Sequence, residues 1–358
     1  MKAKQFISSL KSPRIILSIV TVVVLILLLY FSRHEIEKAW QILGQANIWL
    51  LLLLIPMQFG VYYAGGEMIF SYLRNKKLIH HVSRFEQARI ALELNLVNHI
   101  FPSGGISGIS YTTWRMSKLG VSSASSTFAQ LVRYVAGFVS IMILLVLAVA
   151  FLALDGQVNR YIVSASFLLI VGIVILTFVV VFMFASRLRM RHIARTVSRT
   201  INKIVSIATF GKYKRAMNID RVENFFSDMY DDFSDLSSDR KMLIKPLAWG
   251  AVYAALDVGM FMVTFWALGT YVNPAILLIG YCLASASGII AFTPGGAGVY
   301  ETIMILFLSM SGVSADIAIA GIILTRIILL TGTIVFGYIF YQHALIKYGK
   351  PSGSTVSS

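Results

Sequence analysis

The chain has 358 residues, of which 57% are hydrophobic and 13% charged, and its mean hydropathy is +0.77. A soluble domain carries about a quarter charged residues, so this composition excludes a water-soluble fold for most of the chain. The net charge of +15 does not indicate nucleic-acid binding, because the basic residues lie between apolar runs. The positive charge is explained by cytoplasmic loops that follow the positive-inside bias. A single cysteine, Cys282, excludes a disulfide framework.

Runs of about 20 apolar residues predict an all-α polytopic membrane protein. The first run lies in the N-terminal region 1–47 and resembles a signal peptide, but it is too long and lacks a small-residue cleavage site, so a retained span is predicted. The six predicted spans are 13–31, 48–73, 122–152, 161–185, 246–271 and 315–346.

Two further apolar regions, 86–118 and 274–312, are interrupted by glycine. The basic residues collect on one side only if each region returns to the side it left, so both are predicted to be re-entrant helical hairpins. We therefore expect a multi-pass protein of the cell membrane with both termini cytoplasmic. Its cytoplasmic segments would be 1–12, 74–85, 186–245 and the tail 347–358, the last of which is expected to be disordered.

The polar segment 186–245 begins with basic residues and continues with aromatic residues among aspartates. This pattern predicts an amphipathic helix near the headgroups. A connector without chemistry is the alternative. The residues that would form its apolar face are Phe225, Phe226, Met229, Tyr230 and Phe233.

The two interrupted regions resemble each other. Each has a proline beside a glycine pair, then another glycine and a polar–aromatic pair before threonine. Glycine and proline break helices, and a broken helix at membrane depth lines a cavity or is buried in protein. An acidic residue precedes each glycine pair at a similar distance, and an arginine follows. The unit of span, hairpin and span therefore occurs twice, in 48–152 and 246–346, and one extra span extends the first half to 48–185. This is an inverted repeat, which is typical of transporters with a midplane site. The breaking residues are Pro102, Gly104, Gly105, Gly108, Pro294, Gly295, Gly296 and Gly298.

Charges inside spans cost at least about 2.5–3.5 kcal/mol at a helix centre, which makes them functional candidates. Arginine suits phosphate because its planar fork donates two parallel hydrogen bonds. The alternative is that acid and arginine pair to lock helices together, or, for Glu301, that its carboxylate caps the helix start beside the glycines. These candidates are Glu67, Glu93, Arg133, Asp257, Glu301 and Arg326.

Other polar residues flank the first break. Asn98 and His99 precede it and are candidates to line the same cavity, and Tyr111 aligns with Glu301 when Gly108 is matched to Gly298. Arg115 ends the first hairpin, where it would gather anionic lipid or serve as a solvated interfacial anchor. The glycine clusters would cradle a phosphate or simply permit close helix crossing. Without a metalloprotease, Walker or Rossmann motif, no metal or cofactor is predicted.

From Phe101 to Gly108 and from Thr293 to Glu301 the chain resembles the membrane domain of lysylphosphatidylglycerol synthases, the flippase half of the multiple peptide resistance factor. The resemblance covers roughly 13–346 and implies movement of a modified lipid between leaflets. The bifunctional enzymes add an aminoacyl-transferase domain after the membrane region, whereas the sequence here runs to Ser358. The resemblance therefore does not imply lipid aminoacylation.

The sequence therefore predicts a lipid translocase, not an enzyme, for a phospholipid, aminoacyl-phospholipid or glycolipid. Arg133 and Arg326 would engage the phosphate, while Glu301, Asp257 and Glu67 balance charge or carry protons. Two alternatives stay open: a non-catalytic membrane partner of a lipid synthase or glycosyltransferase, and a secondary transporter for a small solute. The sequence also leaves open a homo-oligomer.

Overall fold

A computed structural model describes residues 44, 46–100, 106–154, 160–208, 217–290 and 298–349. Within these ranges the chain is helical and contains no strand, which confirms the predicted fold class. Five of the described helices are long and apolar enough to cross a membrane. The predicted span 13–31, the predicted tail beyond Gly349 and the glycine-rich segments 101–105 and 291–297 lie outside the described residues. Pro102, Gly104, Gly105, Pro294, Gly295 and Gly296 are therefore not described.

Twelve α-helices follow one another in the described ranges. The first seven are α1 (Ile48–Leu52), α2 (Leu54–Asn75), α3 (Arg84–Ile100), α4 (Ile106–Ser117), α5 (Ser123–Leu154), α6 (Arg160–Phe184) and α7 (Arg187–Ala208). The other five are α8 (Ile219–Ser238), α9 (Ile244–Ala267), α10 (Pro274–Ile290), α11 (Val299–Met310) and α12 (Ala315–Tyr348), with a short 3-10 turn at Arg240–Leu243 before α9.

The helix lengths repeat in order. After α2, the chain forms helices of 17, 12 and 32 residues; after α9, it forms helices of 17, 12 and 34 residues. A 17-residue helix is about 25 Å long and a 12-residue helix about 18 Å, so each is shorter than the hydrocarbon core of about 30 Å. Each short pair packs against itself as a hairpin, α3 on α4 and α10 on α11.

The two hairpins open toward opposite ends of the helix bundle. Ile79 before the first hairpin and Val121 after it share one apolar cluster, so the chain enters and leaves this hairpin at one end. Val272 before the second hairpin and Val313 after it share a different cluster. At that second end the Asn47 amide donates to the Ala267 carbonyl at 2.8 Å. The hairpins therefore open at opposite ends of the bundle.

The two halves are interlocked. Helix α3 of the first half packs on α12 of the second, and α10 of the second half packs on α5 of the first. Between them α2 packs along α9, the most extensive helix contact in the described chain. Close approach of α3 and α12 depends on Gly337, where an added Cβ would lie 2.7 Å from Leu96 Cβ. Each hairpin is thereby held between its own long helix and that of the other half.

Helix α8 packs its aromatic face against protein rather than against headgroups. Phe225, Met229 and Phe233 join the cluster that contains the end of α6, and the ring centroids of Phe184 and Phe233 lie 5.8 Å apart. The ends of α5 and α6 therefore cover the aromatic face of this amphipathic helix, and its place near the headgroups stays a prediction. On the polar face, Lys76 pairs with Asp232 and, at 2.9 Å, with Asp235. Burial opposes the Lys76 charge, but these hydrogen bonds raise its pKa.

Candidate functional site

The two predicted arginines act on the same polar side chains. Arg133 lies about 15 Å along α5 from its start and Arg326 about 17 Å along α12. Both guanidinium groups interact electrostatically with His99 on α3 and with Tyr253 on α9. Four helices, two from each half, therefore place these groups in one central site.

Arg326 is held by its neighbours in this site. Its Nε donates to Glu301 Oε1 at 2.6 Å, and its guanidinium lies over the Tyr300 ring, 4.5 Å from the centroid. The Gly298 amide donates to the other Glu301 oxygen at 2.6 Å, and Gly298 has φ +88°, which favours glycine. Glu301 therefore both caps α11 and neutralises Arg326. Capping and pairing with arginine were the two alternatives for this residue, and it does both.

Arg133 differs from Arg326 in its surroundings. Its side chain is half-buried, and it forms no ion pair or hydrogen bond with any residue in the described ranges. A Cβ added to Gly65 would lie 3.7 Å from Arg133 Nη2 and 3.4 Å from the Tyr253 ring. The guanidinium and the ring therefore both lie against α2 at Gly65. The site presents one neutralised arginine and one without an acidic partner.

Asp257 brings an acid and several hydroxyl groups to the same site. The Tyr281 hydroxyl and Arg326 both interact with its carboxylate. Tyr62, Tyr253 and Tyr300 also interact electrostatically with Asp257. None of these tyrosines was predicted as a site residue. A usable signal was their spacing, since Tyr253 lies one helical turn before Asp257 and Tyr300 directly precedes Glu301.

Asn98 and His99 lie at the end of α3 that faces this site. His99 Nδ1 is 2.8 Å from the Asn95 carbonyl oxygen. Asn98 Oδ1 is buried without a hydrogen-bond partner in the described part of the chain. A Cβ on Gly108 would lie 1.9 Å from that oxygen, so Gly108 lets α4 approach α3 closely. The close-crossing interpretation of this glycine therefore fits its surroundings.

We expect Gly108→Ala to destabilise the first hairpin, because the added methyl group overlaps the Asn98 amide. Overpacking of this kind costs about 1–3 kcal/mol. The measurement is thermal unfolding of the purified protein in detergent. The double variant Asn98→Ala/Gly108→Ala should recover most of the loss, since the obstructing atoms belong to one side chain. A double variant no more stable than the single one would refute this account.

Glu93, Tyr111 and Arg115 form a second, separate cluster inside the first hairpin. Glu93 Oε2 accepts from the Tyr111 hydroxyl at 2.8 Å and from Arg115 Nε at 3.1 Å. Arg89 adds a contact at 3.3 Å to the other carboxylate oxygen, and Glu86 also pairs with Arg115. The side chains of Glu93 and Arg115 are both fully buried. A solvated anchor at Arg115 is therefore wrong, because folding of α3 on α4 encloses it.

Glu67 lies outside the central site as well. Arg84 Nη1 donates to its Oε1 at 3.0 Å and Arg74 Nη1 at 3.1 Å, and the carboxylate is almost fully buried. These partners belong to the end of α2 and the start of α3. Glu67 and Asp257 lie at similar distances along the chain from their glycine pairs. Their surroundings in the structure are nevertheless different.

The helix bundle and its spans define a multi-pass helical membrane protein with a polar centre. The family described as "Lysylphosphatidylglycerol synthase TM region" matches residues 15–337, and the chain belongs to this family. It is 24% identical over 240 residues to a UPF0104 membrane protein of Methanothermobacter thermautotrophicus strain Delta H, covering 65% of this chain and 67% of the relative. A second UPF0104 membrane protein of that organism is 26% identical over 160 residues, covering 45% and 44%. No solved structure matches the chain.

Proposed function

We propose that this protein moves a phosphate-bearing lipid between the leaflets of the bilayer, and that Arg133 binds the phosphate. The observation that carries the proposal is the lack of an acidic partner for Arg133 in the described chain, at mid-depth beside Arg326. A charge at this depth is costly to leave uncompensated. A bound phosphate supplies the missing anion, with two parallel hydrogen bonds to the guanidinium.

The remaining polar groups fit the rest of a headgroup. Arg326, already neutralised by Glu301, adds a second donor without a second net charge. Asp257 and its tyrosine neighbours offer acceptors and hydroxyl groups to the polar part beyond the phosphate. The family description names a phospholipid synthase, which favours a phospholipid or aminoacyl-phospholipid over a soluble solute.

We propose that α3–α4 and α10–α11 are re-entrant hairpins and that the end carrying α7 and α8 is cytoplasmic. Arg74, Lys76 and Arg187 lie at that end, whereas the connections 268–273 and 311–314 at the other end contain no lysine or arginine. The distribution follows the positive-inside bias. The protein would then belong to the plasma membrane, with the two hairpins entering from opposite leaflets.

A leaflet assay tests the function directly. Purified protein in liposomes is given labelled anionic phospholipid, aminoacyl-phospholipid or glycolipid, and the outward-exposed label is followed over time. We expect headgroup-selective movement above that of empty liposomes. If no lipid moves in protein shown to be folded, the proposal fails, and a membrane partner of a separate lipid-modifying enzyme becomes the better account.

Arg326→Ala should slow this movement about tenfold to a hundredfold, the loss expected for one charge-assisted hydrogen bond to phosphate. Its matched partner is Glu301→Gln, which keeps a cap for α11 but removes the negative charge from Arg326. This second variant should bind anionic lipid more tightly than wild type. Wild-type transport by folded Arg326→Ala would remove Arg326 from the proposed site.

A further inference from the structure

A cavity of about 350 Å³ lies at the elbow between α6 and α7, away from the central site. Its walls are almost wholly apolar, and its polar lining groups are basic or neutral. No carboxylate lines it. The volume is within the range of ordinary small-molecule sites. The lining residues are Phe182, Met183, Leu188, Arg189, His192 and Ile193.

The elbow lies where hydrocarbon gives way to headgroups. The spanning part of α6 is Ser166–Phe184, and α7 begins three residues later with a run rich in arginine. Phe178 and Phe182 on α6 are 67% and 51% exposed, as expected for side chains that face acyl chains. Leu188, on the first turn of α7, is 76% exposed. An apolar cavity at this level is accessible to a lipid from the side.

Arg189 gives the cavity a polar edge. Its guanidinium lies over the Phe182 ring, 3.9 Å from the centroid. Its Nε is buried without a hydrogen-bond partner among the described residues. An unsatisfied buried donor costs about 1–3 kcal/mol, and more when the group is charged. The arrangement therefore favours an anionic acceptor at the cavity edge.

The charge of α7 favours the same kind of occupant. Helix α7 has no acidic residue. Arg187 is neutralised by Asp231 and Arg195 by Glu223, whose pKa is lowered by its hydrogen bond from Arg195. The other basic residues of α7 form no ion pair within the described chain, and the exposed ones are Arg191, Arg199 and Lys203.

We propose that this elbow cavity binds one anionic phospholipid, with an acyl chain against Phe182 and Ile193 and the phosphate on Arg189. His192 would provide a second polar contact to the headgroup. The bound lipid is a resident of the cytoplasm-proximal interface and is distinct from the lipid proposed to move through the central site. The inference stands on the cavity, the unsatisfied Arg189 Nε and the charge of α7, and it does not require translocation.

The test counts lipids on the full-length protein. Delipidated protein in detergent is titrated with phosphatidylglycerol or phosphatidylcholine, and bound lipid is measured by native mass spectrometry. We expect one phosphatidylglycerol to bind more tightly than phosphatidylcholine. Arg189→Gln should weaken phosphatidylglycerol binding about fivefold, as for the loss of one basic residue at an anionic surface. Its binding of phosphatidylcholine should fall less, because the choline ammonium already compensates that phosphate.

Matched variants separate a built site from general charge attraction. Arg199→Gln removes an exposed arginine from the same helix, outside the cavity, and should leave the first bound lipid unaffected. Ile193→Trp should fill the cavity and abolish binding of both lipids while Arg189 stays in place. Arg133→Ala should retain the elbow lipid, even if it abolishes transport. Equal losses in Arg189→Gln and Arg199→Gln, or no headgroup preference in the wild type, would overturn the proposal.

Discussion

Replacing Arg133 by alanine is expected to abolish lipid translocation without lowering the stability of the protein. The guanidinium has no acidic partner in the described chain, so its removal leaves no carboxylate unpaired. Because an uncompensated charge at mid-depth is unfavourable, the lipid-free variant should be at least as stable as the wild type. The measurement is the leaflet assay on liposomes, paired with thermal unfolding of the same preparation in detergent.

Two matched variants make this expectation specific. Arg133→Lys keeps the charge but loses the bidentate geometry, so partial activity and a weaker preference for phosphate-bearing lipids are expected. Arg326→Ala should slow transport rather than abolish it, but it leaves Glu301 without this partner and should therefore lower stability. Arg133→Ala protein that is folded and transports at the wild-type rate would disprove the phosphate assignment. So would a stability loss in Arg133→Ala as large as in Arg326→Ala, because it would indicate a structural ion pair.

Replacing Arg115 by leucine should cause the largest loss of stability among the charge substitutions. Its side chain and that of Glu93 are fully buried and joined at 3.1 Å. Removing one member of a buried pair costs about 3–5 kcal/mol, because the remaining charge stays in a poorly solvated site. Arg89 stays beside Glu93 and should moderate the loss toward the lower figure. Unfolding in detergent, followed by the loss of helical signal, measures the change.

Arg84→Leu is the natural control, since it also removes an arginine from a glutamate in the same half. The Arg84 side chain is 59% exposed, so its pairing with Glu67 should contribute no more than about 1 kcal/mol. The double variant Glu93→Leu/Arg115→Leu should recover part of the loss, because it leaves no unpaired carboxylate. Similar effects of Arg84→Leu and Arg115→Leu would contradict the distinction between buried and exposed pairs.

The interlocked halves suggest how the site would serve two leaflets. Helix α3 packs on α12, which carries Arg326, and α10 packs on α5, which carries Arg133. Each hairpin therefore contacts the arginine-bearing helix of the other half. We propose that small shifts of one hairpin against its partner helix open the central site to one leaflet at a time. This is the rocking of one repeat against another that inverted repeats permit.

Hydropathy and local chemistry determined much of this architecture. Five of the six predicted spans match described helices, because a lipid environment demands about 20 apolar residues whatever the neighbours are. Gly298 marked the start of α11, since glycine interrupts a helix locally. Distance along the chain also gave the depth of Arg133 and Arg326. Glu301 followed from position too, as it lies in the first turn of α11.

Only the tertiary structure decided which charges meet. Glu67 and Asp257 lie at similar distances from their glycine pairs, yet one is bound by Arg74 and Arg84 at the end of the bundle and the other lies among tyrosines at its centre. Arg115, expected in solvent, is enclosed between two helices. Spacing along a helix fixes the depth of a side chain in the membrane. Which partner that side chain meets depends on which helix lies beside it. Those neighbours come from packing between distant parts of the chain, which no local pattern specifies.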